Sequence, residues 1–317
     1  MSGALAWVLG RHGLLGRAVH EALGASGATW SPARPLPWQD PPALADRLAQ
    51  DAAEFAAACA GRPWRIAWCA GQGVVATDRA RMAREVAALD ALLSGLARAR
   101  AGALTGPGAL FLASSAGGVY AGAAPPPFDE ETPPRAISPY GEAKLAQEAQ
   151  VRAFAATHGA GACIGRIANL YGPGQDLRKP QGLISQISRA LLLREPIRIY
   201  VPMDTIRDYV FAPDCGRMVA AALERAATTA VPSVHTKIFA SHHGTTVAAL
   251  LSEFRRIVKR PVRTVQVASP LSAYQARDLR MRSRVWNDLD RLAVTPLVVG
   301  IQRTLHAVQE HLARGSA

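Results

Sequence analysis

Tyr140 and Lys144, inside Ser138-Pro139-Tyr140-Gly141-Glu142-Ala143-Lys144, are four residues apart. On a helix that spacing puts both side chains on one face. A phenol alone is a poor acid or base near neutrality, because it titrates near ~10. An ammonium one turn away favours the phenolate. The pair then becomes a proton donor and acceptor worth roughly 10²–10⁴-fold in rate. The same spacing also arises on any solvated helix face, so the pair gains meaning only from what accompanies it. A glycine turn at the N-terminus is that companion. Ala4 to Leu9 is an apolar run with the character of a buried parallel strand. Gly10-Arg11-His12-Gly13-Leu14-Leu15-Gly16 follows at once, and Arg17 to Leu23 is patterned as a helix. Strand, glycine turn and helix form the setting in which backbone approaches a pyrophosphate and helix N-terminal amides hold it. Dinucleotide binding is therefore expected at Gly10, Arg11, Gly13, Leu14, Leu15 and Gly16.

The elements that must position these groups alternate. After the first strand and helix comes a strand at Ala28–Ser31, then a proline-rich loop from Pro32 to Pro42. An alanine-rich helix at Asp46–Cys59 follows, then a strand at Arg65–Cys69. The small residues Ala70-Gly71-Gln72-Gly73 end that strand, and Ala70 and Gly71 are expected against the cofactor. A long helix at Arg81–Arg100 has an apolar stripe of Val86, Leu89, Leu92, Leu93 and Leu96. A strand at Ala109–Ala113, the Tyr/Lys helix at Ser138–His158 and a strand at Ala162–Ala168 complete the series. Strands alternating with helices predict an α/β fold with a doubly wound parallel sheet. From Tyr171 onward the pattern becomes irregular, beginning with the loop signal Gly172-Pro173-Gly174.

Composition bounds the class. The chain has 317 residues, 49% of them hydrophobic and 19% charged, which is ordinary for a soluble globular protein. The net charge of +12 is unusual and admits nucleic acid or anionic surfaces as partners. No run of five or six basic residues occurs, and the densest patch, Arg255-Arg256-Ile257-Val258-Lys259-Arg260, ends a predicted helix. The charge is therefore read as serving an anionic, phosphate-bearing ligand, and nucleic acid is not expected. Cys59, Cys69, Cys163 and Cys215 are widely spaced and read as free thiols. No secretory signal precedes the first strand, and no stretch of 18 apolar residues occurs, so a cytoplasmic protein without a membrane span is expected. His242-His243 has no third ligand at a useful spacing, and no metal site is expected.

The Gly-x-x-Gly-x-x-Gly turn together with Tyr140 and Lys144 resembles the extended short-chain dehydrogenase/reductase superfamily. This is the NAD-dependent epimerase/dehydratase group that modifies nucleotide sugars. The resemblance implies a Rossmann sheet domain, a smaller C-terminal substrate-binding lobe, and NADP or NAD as cofactor. It places the sheet domain at 1–170, with 208–238 returning to it, and the substrate lobe at 171–207 and 239–317. Within the returning segment fall Tyr209-Val210-Phe211 and a helix at Cys215–Ala226. NAD sites usually carry an Asp or Glu at the end of the second strand to hold the ribose 2′-hydroxyl. Here that end reads Trp30-Ser31-Pro32-Ala33-Arg34, without a carboxylate. Ser31, Arg34 and Arg11 suit a 2′-phosphate better, which favours NADP.

The resemblance implies further roles. A Ser-Ser-Ala-like element at Ser114-Ser115-Ala116 supplies a hydroxyl to the reacting sugar oxygen. Ser115, 25 residues before Tyr140, is the first choice and Ser114 the second, since Gly117-Gly118 reads as an insertion. Lys144 would also hold the nicotinamide ribose. Arg166-Ile167-Ala168-Asn169-Leu170-Tyr171-Gly172-Pro173-Gly174 matches an element whose Asn, here Asn169, contacts the substrate diphosphate. Arg207, in Arg207-Asp208-Tyr209, is implied on the same diphosphate, with Arg277 as a second clamp. Related 4,6-dehydratases place an acid just after the catalytic hydroxyl residue, where this chain has Ala116 and Gly117. Two departures stand out: a helix position usually Asn is Glu85 or a neighbour, and the Asp expected just beyond Leu279 is missing. The two long helices are implied to pair with their copies in a homodimer. The function implied is NADPH-dependent reduction of a nucleotide-linked 4-ketohexose through Ser115, Tyr140 and Lys144. The alternatives are a redox-neutral 4-epimerase with retained NAD and, more remotely, a non-catalytic dinucleotide sensor or RNA-binding protein.

Overall fold

The structure, a computed structural model, describes residues 3–100, 104–179, 181–229, 233–268 and 276–315. Its first half alternates strand and helix: β1 (Leu5–Leu9), α1 (Leu14–Ser26), β2 (Ala28–Trp30), α2 (Pro41–Cys59), β3 (Trp64–Trp68), α3 (Arg79–Arg100), β4 (Gly108–Ser115), the single turn α4 (Ala116–Val119), α5 (Pro139–His158) and β5 (Gly161–Ile167). The second half adds β6 (Asn169–Tyr171), α6 (Leu183–Leu193), β7 (Ile197–Ile199), β8 (Ile206–Phe211), α7 (Ala212–Thr228) and β9 (Val234–Phe239). The chain then runs through β10 (Gly244–Thr246), α8 (Val247–Val258), β11 (Thr264–Gln266), β12 (Asp278–Leu279), a short 3-10 turn at Leu289–Leu292 and α9 (Leu297–Gly315).

Six parallel strands form the central sheet in the order β2-β1-β3-β4-β5-β9. The period of two along each strand sorts the side chains to opposite faces. Trp7, Ile66, Leu110 and Ile164 face α2, α3 and α5. Ala6, Ala67, Phe111 and Cys163 face α1 and α7 on the other side. The doubly wound Rossmann arrangement expected from the alternation is what the chain adopts. It leaves the C-terminal ends of β1, β3 and β4 open, and in such sheets ligands bind beyond that edge.

Several boundaries move, each for a local reason. Helix α2 begins at Pro41 rather than Asp46, because the Asp40 carboxylate caps it by accepting from Ala43 N at 3.1 Å. Its two leading prolines occupy positions that need no amide hydrogen. The strand 206–211 does not return to the central sheet. It pairs with β6, β10 and β12 in a separate four-stranded sheet, so only α7 and β9 rejoin the large one. Conversely, the segment around 286–293, expected in the substrate lobe, packs Leu289, Trp286 and Leu292 against the α1/α7 face. The smaller lobe gathers α6, α8 and α9 around Tyr209, Phe211, Leu250 and Phe254. The leucine stripe of α3 is spent inside the chain: Leu89, Leu92, Leu93 and Leu96 are buried against α2 and the sheet. Among the described residues, no helix is long and apolar enough to cross a membrane.

Candidate active site

A cleft of about 1680 Å³ runs along the open edge of the sheet, between it and the smaller lobe. The glycine turn forms one end. Gly10 has φ +86°, and a Cβ there would lie 2.7 Å from the backbone of Cys69 and Ala70. Gly13 stands at the N-cap of α1 with no side chain to accept from the helix amides, and the first amides of a helix have no partner within it. Gly13, Leu14 and Leu15 line the cleft beside Gly10 and Arg11. This uncapped helix start and its close glycine contacts fit a dinucleotide pyrophosphate. Gly16 does not line the cleft; it lets α1 cross Gly10, since a Cβ would fall 2.1 Å from the Gly10 oxygen. Gly10→Ala therefore meets both a left-handed backbone and fixed main chain. The expected outcome is loss of at least about 1–3 kcal/mol of stability, read from the denaturant midpoint, together with weakened dinucleotide titration.

At the end of β2, Arg11 Nη1 donates to Ser31 Oγ at 2.5 Å. Arg34 is exposed and lines the same end of the cleft. Ala70 and Gly71 follow β3 along the cleft floor. The Glu85 carboxylate from α3 fixes this loop, accepting from Gln72 N at 2.7 Å and Gly73 N at 2.8 Å. The position flagged as a departure thus braces the cofactor-side loop.

Strand alternation separates the two serines. Ser114 turns inward and donates to Glu148 at 2.7 Å, buried. Ser115 faces the cleft, and its oxygen accepts from Gly118 N at 3.1 Å. Gly118 is a requirement of close packing rather than part of an insertion, whereas a Cβ on Gly117 would meet only Leu279 at an ordinary 3.6 Å. A Cβ on Gly118 would sit 2.9 Å from Tyr140 Cε1 and 3.3 Å from Ser115 Oγ, so phenol ring and hydroxyl flank one small space. Gly141 completes the approach, its own Cβ position lying 2.3 Å from the Gly118 oxygen. Ser138 caps α5 by accepting from Gly141 N at 3.2 Å. One turn into that helix, Lys144 Nζ lies 5.8 Å from the Tyr140 ring centroid. Lys144 donates to Ala113 O and to Gln147 Oε1, each at 3.1 Å. Nearby Cys69 is pushed up to about 12 by burial, with the Lys144 charge pulling the other way.

Toward the smaller lobe, Asn169 is exposed and lines the cleft, as does Arg207. Arg207 is buried, which lowers its pKa, against the pull of Tyr209 and Asp278. Arg277 does not join them. It is absent from the cleft wall and pairs at the surface with Asp204, while Ala276 and Leu279 on either side reach the cleft. The sequence reading missed Arg81, Arg84, Arg178 and Lys179, all on the cleft wall. Their only sequence signal was the overall basic charge.

These features define a dinucleotide-type cleft with a Tyr/Lys helix across from a helix N-terminus. The chain belongs to the NAD dependent epimerase/dehydratase family, whose sequence model matches residues 6–235. It is 35% identical over 97 residues to dTDP-L-rhamnose 4-epimerase from Burkholderia thailandensis, covering 30% of this chain and 27% of that protein. It is 32% identical over 116 residues to UDP-glucose 4-epimerase from Mycolicibacterium smegmatis, 37% of each. These alignments span roughly a quarter to just over a third of the relatives' own length. In overall structure it resembles UDP-glucose 4-epimerase from Thermotoga maritima, solved with UDP-glucose: TM-score 0.78, 20% identity, 97% of this chain and 99% of that one. The Thermus thermophilus UDP-glucose 4-epimerase, solved with NAD, gives a TM-score of 0.76 at 18% identity over 96% and 99%. At these identities the likeness establishes a shared fold.

Proposed function

We propose that this chain carries out hydride chemistry at C4 of a nucleotide-linked hexose, with Ser115, Tyr140 and Lys144 as its catalytic groups. The observation that supports it is the convergence, on one cleft, of an uncapped helix start at the glycine turn with the Ser115–Tyr140–Lys144 cluster. Gly10, Arg11, Gly13, Leu14 and Leu15 would hold a nicotinamide dinucleotide, which when bound would supply or take up the hydride at the sugar carbon. Tyr140 gives or takes the proton at the sugar oxygen, and Ser115 donates a hydrogen bond to that oxygen. The Lys144 ammonium stabilises the phenolate form of Tyr140. Asn169 and Arg207 hold the diphosphate, so binding energy remote from the reacting carbon orients the sugar. Ala116 and Gly117, directly after Ser115, have no group to move a proton, which argues against 4,6-dehydration.

Reduction of a 4-keto sugar with NADPH is the preferred direction. It rests on the Arg11–Ser31 contact at the end of β2, on Arg34, and on a cleft segment from Ser31 to Gln39 that contributes no carboxylate. A second reading, redox-neutral 4-epimerisation with retained NAD, is supported by the names of the curated relatives. It uses the same residues and lets the keto sugar turn over between two hydride transfers.

A homodimer also belongs to this proposal, with a revised interface. Because the α3 leucines are consumed internally, the faces left for a second copy are alanine-rich: Ala83 and Ala87 of α3, and Ala146, Ala149, Ala153 and Ala156 of α5, all exposed. Native mass spectrometry, beside fluorescence titration with NADPH and NADH, tests these points together. The expected particle is a dimer free of nucleotide that binds NADPH at least ~10-fold more tightly. Arg11→Ala is expected to lose about 10–100-fold in NADPH affinity, the worth of a charge-assisted contact, with little effect on NADH. Co-purified, non-exchanging NAD would instead establish the epimerase reading and refute the NADP argument.

A further inference from the structure

Lys144 is buried, and among the described residues its ammonium is held without a carboxylate. Nζ donates to the Ala113 carbonyl and to the Gln147 side-chain oxygen, each at 3.1 Å. Gln147 is 1% exposed. Its amide nitrogen donates in turn to the Glu85 main-chain oxygen on α3 at 3.1 Å, so the side chain cannot flip without breaking both bonds. Among the described residues, the carboxylates on this helix and on the α3 turn that Gln147 touches are engaged elsewhere. Glu148 on the same helix is committed to Arg166. Glu142 pairs with Arg79 at the surface. The Glu85 carboxylate is turned to the amides of Gln72 and Gly73. Burial keeps the Cys69 thiol neutral, with its pKa up to about 12. Arg84 and Arg207 on the cleft wall are cations.

We propose that Gln147 is a positioning residue: a neutral tether that aims the Lys144 ammonium at Tyr140 while leaving its positive charge uncompensated. The inference rests on the Tyr140/Lys144 assignment made above and adds a residue that the glycine and Tyr/Lys motifs do not predict. The chemistry explains the residue type. A glutamate at this position would accept from Lys144 equally well but would cancel the charge that favours the phenolate. An aliphatic residue would leave the ammonium short of one buried acceptor and free to swing from the ring. The Gln147 amide accepts from the lysine through its oxygen, donates to the Glu85 carbonyl through its nitrogen and adds no charge. Gln150, one turn on, makes the simpler clasp: it donates to the Val86 oxygen at 3.3 Å, again joining α5 to α3, with no bond to Lys144. It is the internal control for a purely structural role.

The test reads Tyr140 itself and needs no sugar substrate. The chain has six tyrosines, so the phenolate absorbance of the full protein is titrated against pH with and without Tyr140→Phe in each background. The difference isolates Tyr140. Gln147→Glu is expected to raise its midpoint by about one pH unit or more. Gln147→Met is expected to raise it by a smaller amount, and Gln150→Met to leave it unchanged, with thermal melts confirming folded protein. An unmoved midpoint in folded Gln147→Met overturns the tether, and so does an equal shift in Gln150→Met. A Gln147→Glu shift no larger than that of Gln147→Met overturns the charge argument. A wild-type Tyr140 that titrates at its ordinary value overturns both the tether and the Tyr140/Lys144 assignment beneath it. A depressed wild-type value that ignores Gln147 removes the tether alone.

Discussion

Tyr140→Phe is expected to lower kcat for the C4 reaction by about 10²–10⁴-fold, the usual worth of a positioned general acid or base. Dinucleotide affinity is expected to stay within a few-fold of wild type. The substitution removes one oxygen and keeps the ring, so the packing of Tyr140 against Gly118 is preserved. What is lost is the titratable hydroxyl whose ring lies beside Ser115 on the small space that Gly118 leaves open. Ser115 has no acid–base function of its own in this scheme. Ser115→Ala removes a hydrogen bond that strengthens as charge develops on the sugar oxygen, and should cost about 10²-fold. Ser114→Ala provides the contrast. Its hydroxyl is spent on Glu148, so turnover should hold while stability falls by about 1–3 kcal/mol. Steady-state kinetics with NADPH and a nucleotide-linked 4-keto sugar decides the matter. A Tyr140→Phe enzyme that keeps more than a tenth of wild-type kcat would remove Tyr140 from the chemistry.

What the sequence made legible was governed by local constraint. A turn that must take φ +86° and touch the next strand tolerates little but glycine, so Gly10 announces itself. The Tyr140/Lys144 spacing is legible because helix geometry alone brings the two together. The choice between Ser114 and Ser115 was only half legible: adjacent strand residues point to opposite faces, and which face is the cleft depends on where α5 packs. The placement of Arg277 was illegible for a related reason, because Ala276 and Leu279 reach the cleft and the residue beside them turns to Asp204. The leucines of α3 showed an apolar face but not its cover, which is α2 and the sheet within the same chain. Tyr209-Val210-Phe211 reads as strand from its side chains, yet nothing in three apolar residues says which sheet they join. Gln147 was invisible altogether, since its meaning comes from a carbonyl on another helix.

Breaking the buried pair beneath the site should have the largest effect on stability. Glu148→Ala or Arg166→Ala is expected to cost about 3–5 kcal/mol, because each leaves a charge buried without its partner. Arg166 and Glu148 have side chains only 5% and 4% exposed. The guanidinium grips the carboxylate at 3.0 and 2.7 Å, the bidentate geometry that lysine cannot reproduce. Burial works against the Arg166 charge, but Glu148 and Tyr120 outweigh it and hold its pKa above the ordinary value. The pair is tied in further. Arg166 Nη1 donates to the Tyr120 hydroxyl at 2.7 Å, which donates to the Asp129 oxygen at 2.7 Å. The network joins β5, β4 and α5, so it fixes the helix that carries Tyr140 and Lys144. Arg166→Lys should therefore recover only part of the loss. Glu148→Leu with Arg166→Met should recover most of it, because exchanging a buried pair for apolar volume is often neutral or stabilising. Denaturant midpoints for Glu148→Leu, Arg166→Met and the variant carrying both measure the coupling directly. If the losses simply add, the pair is not the unit that holds α5 in place. If the double variant is stable yet slow, the pair serves to aim Tyr140 rather than to hold the fold.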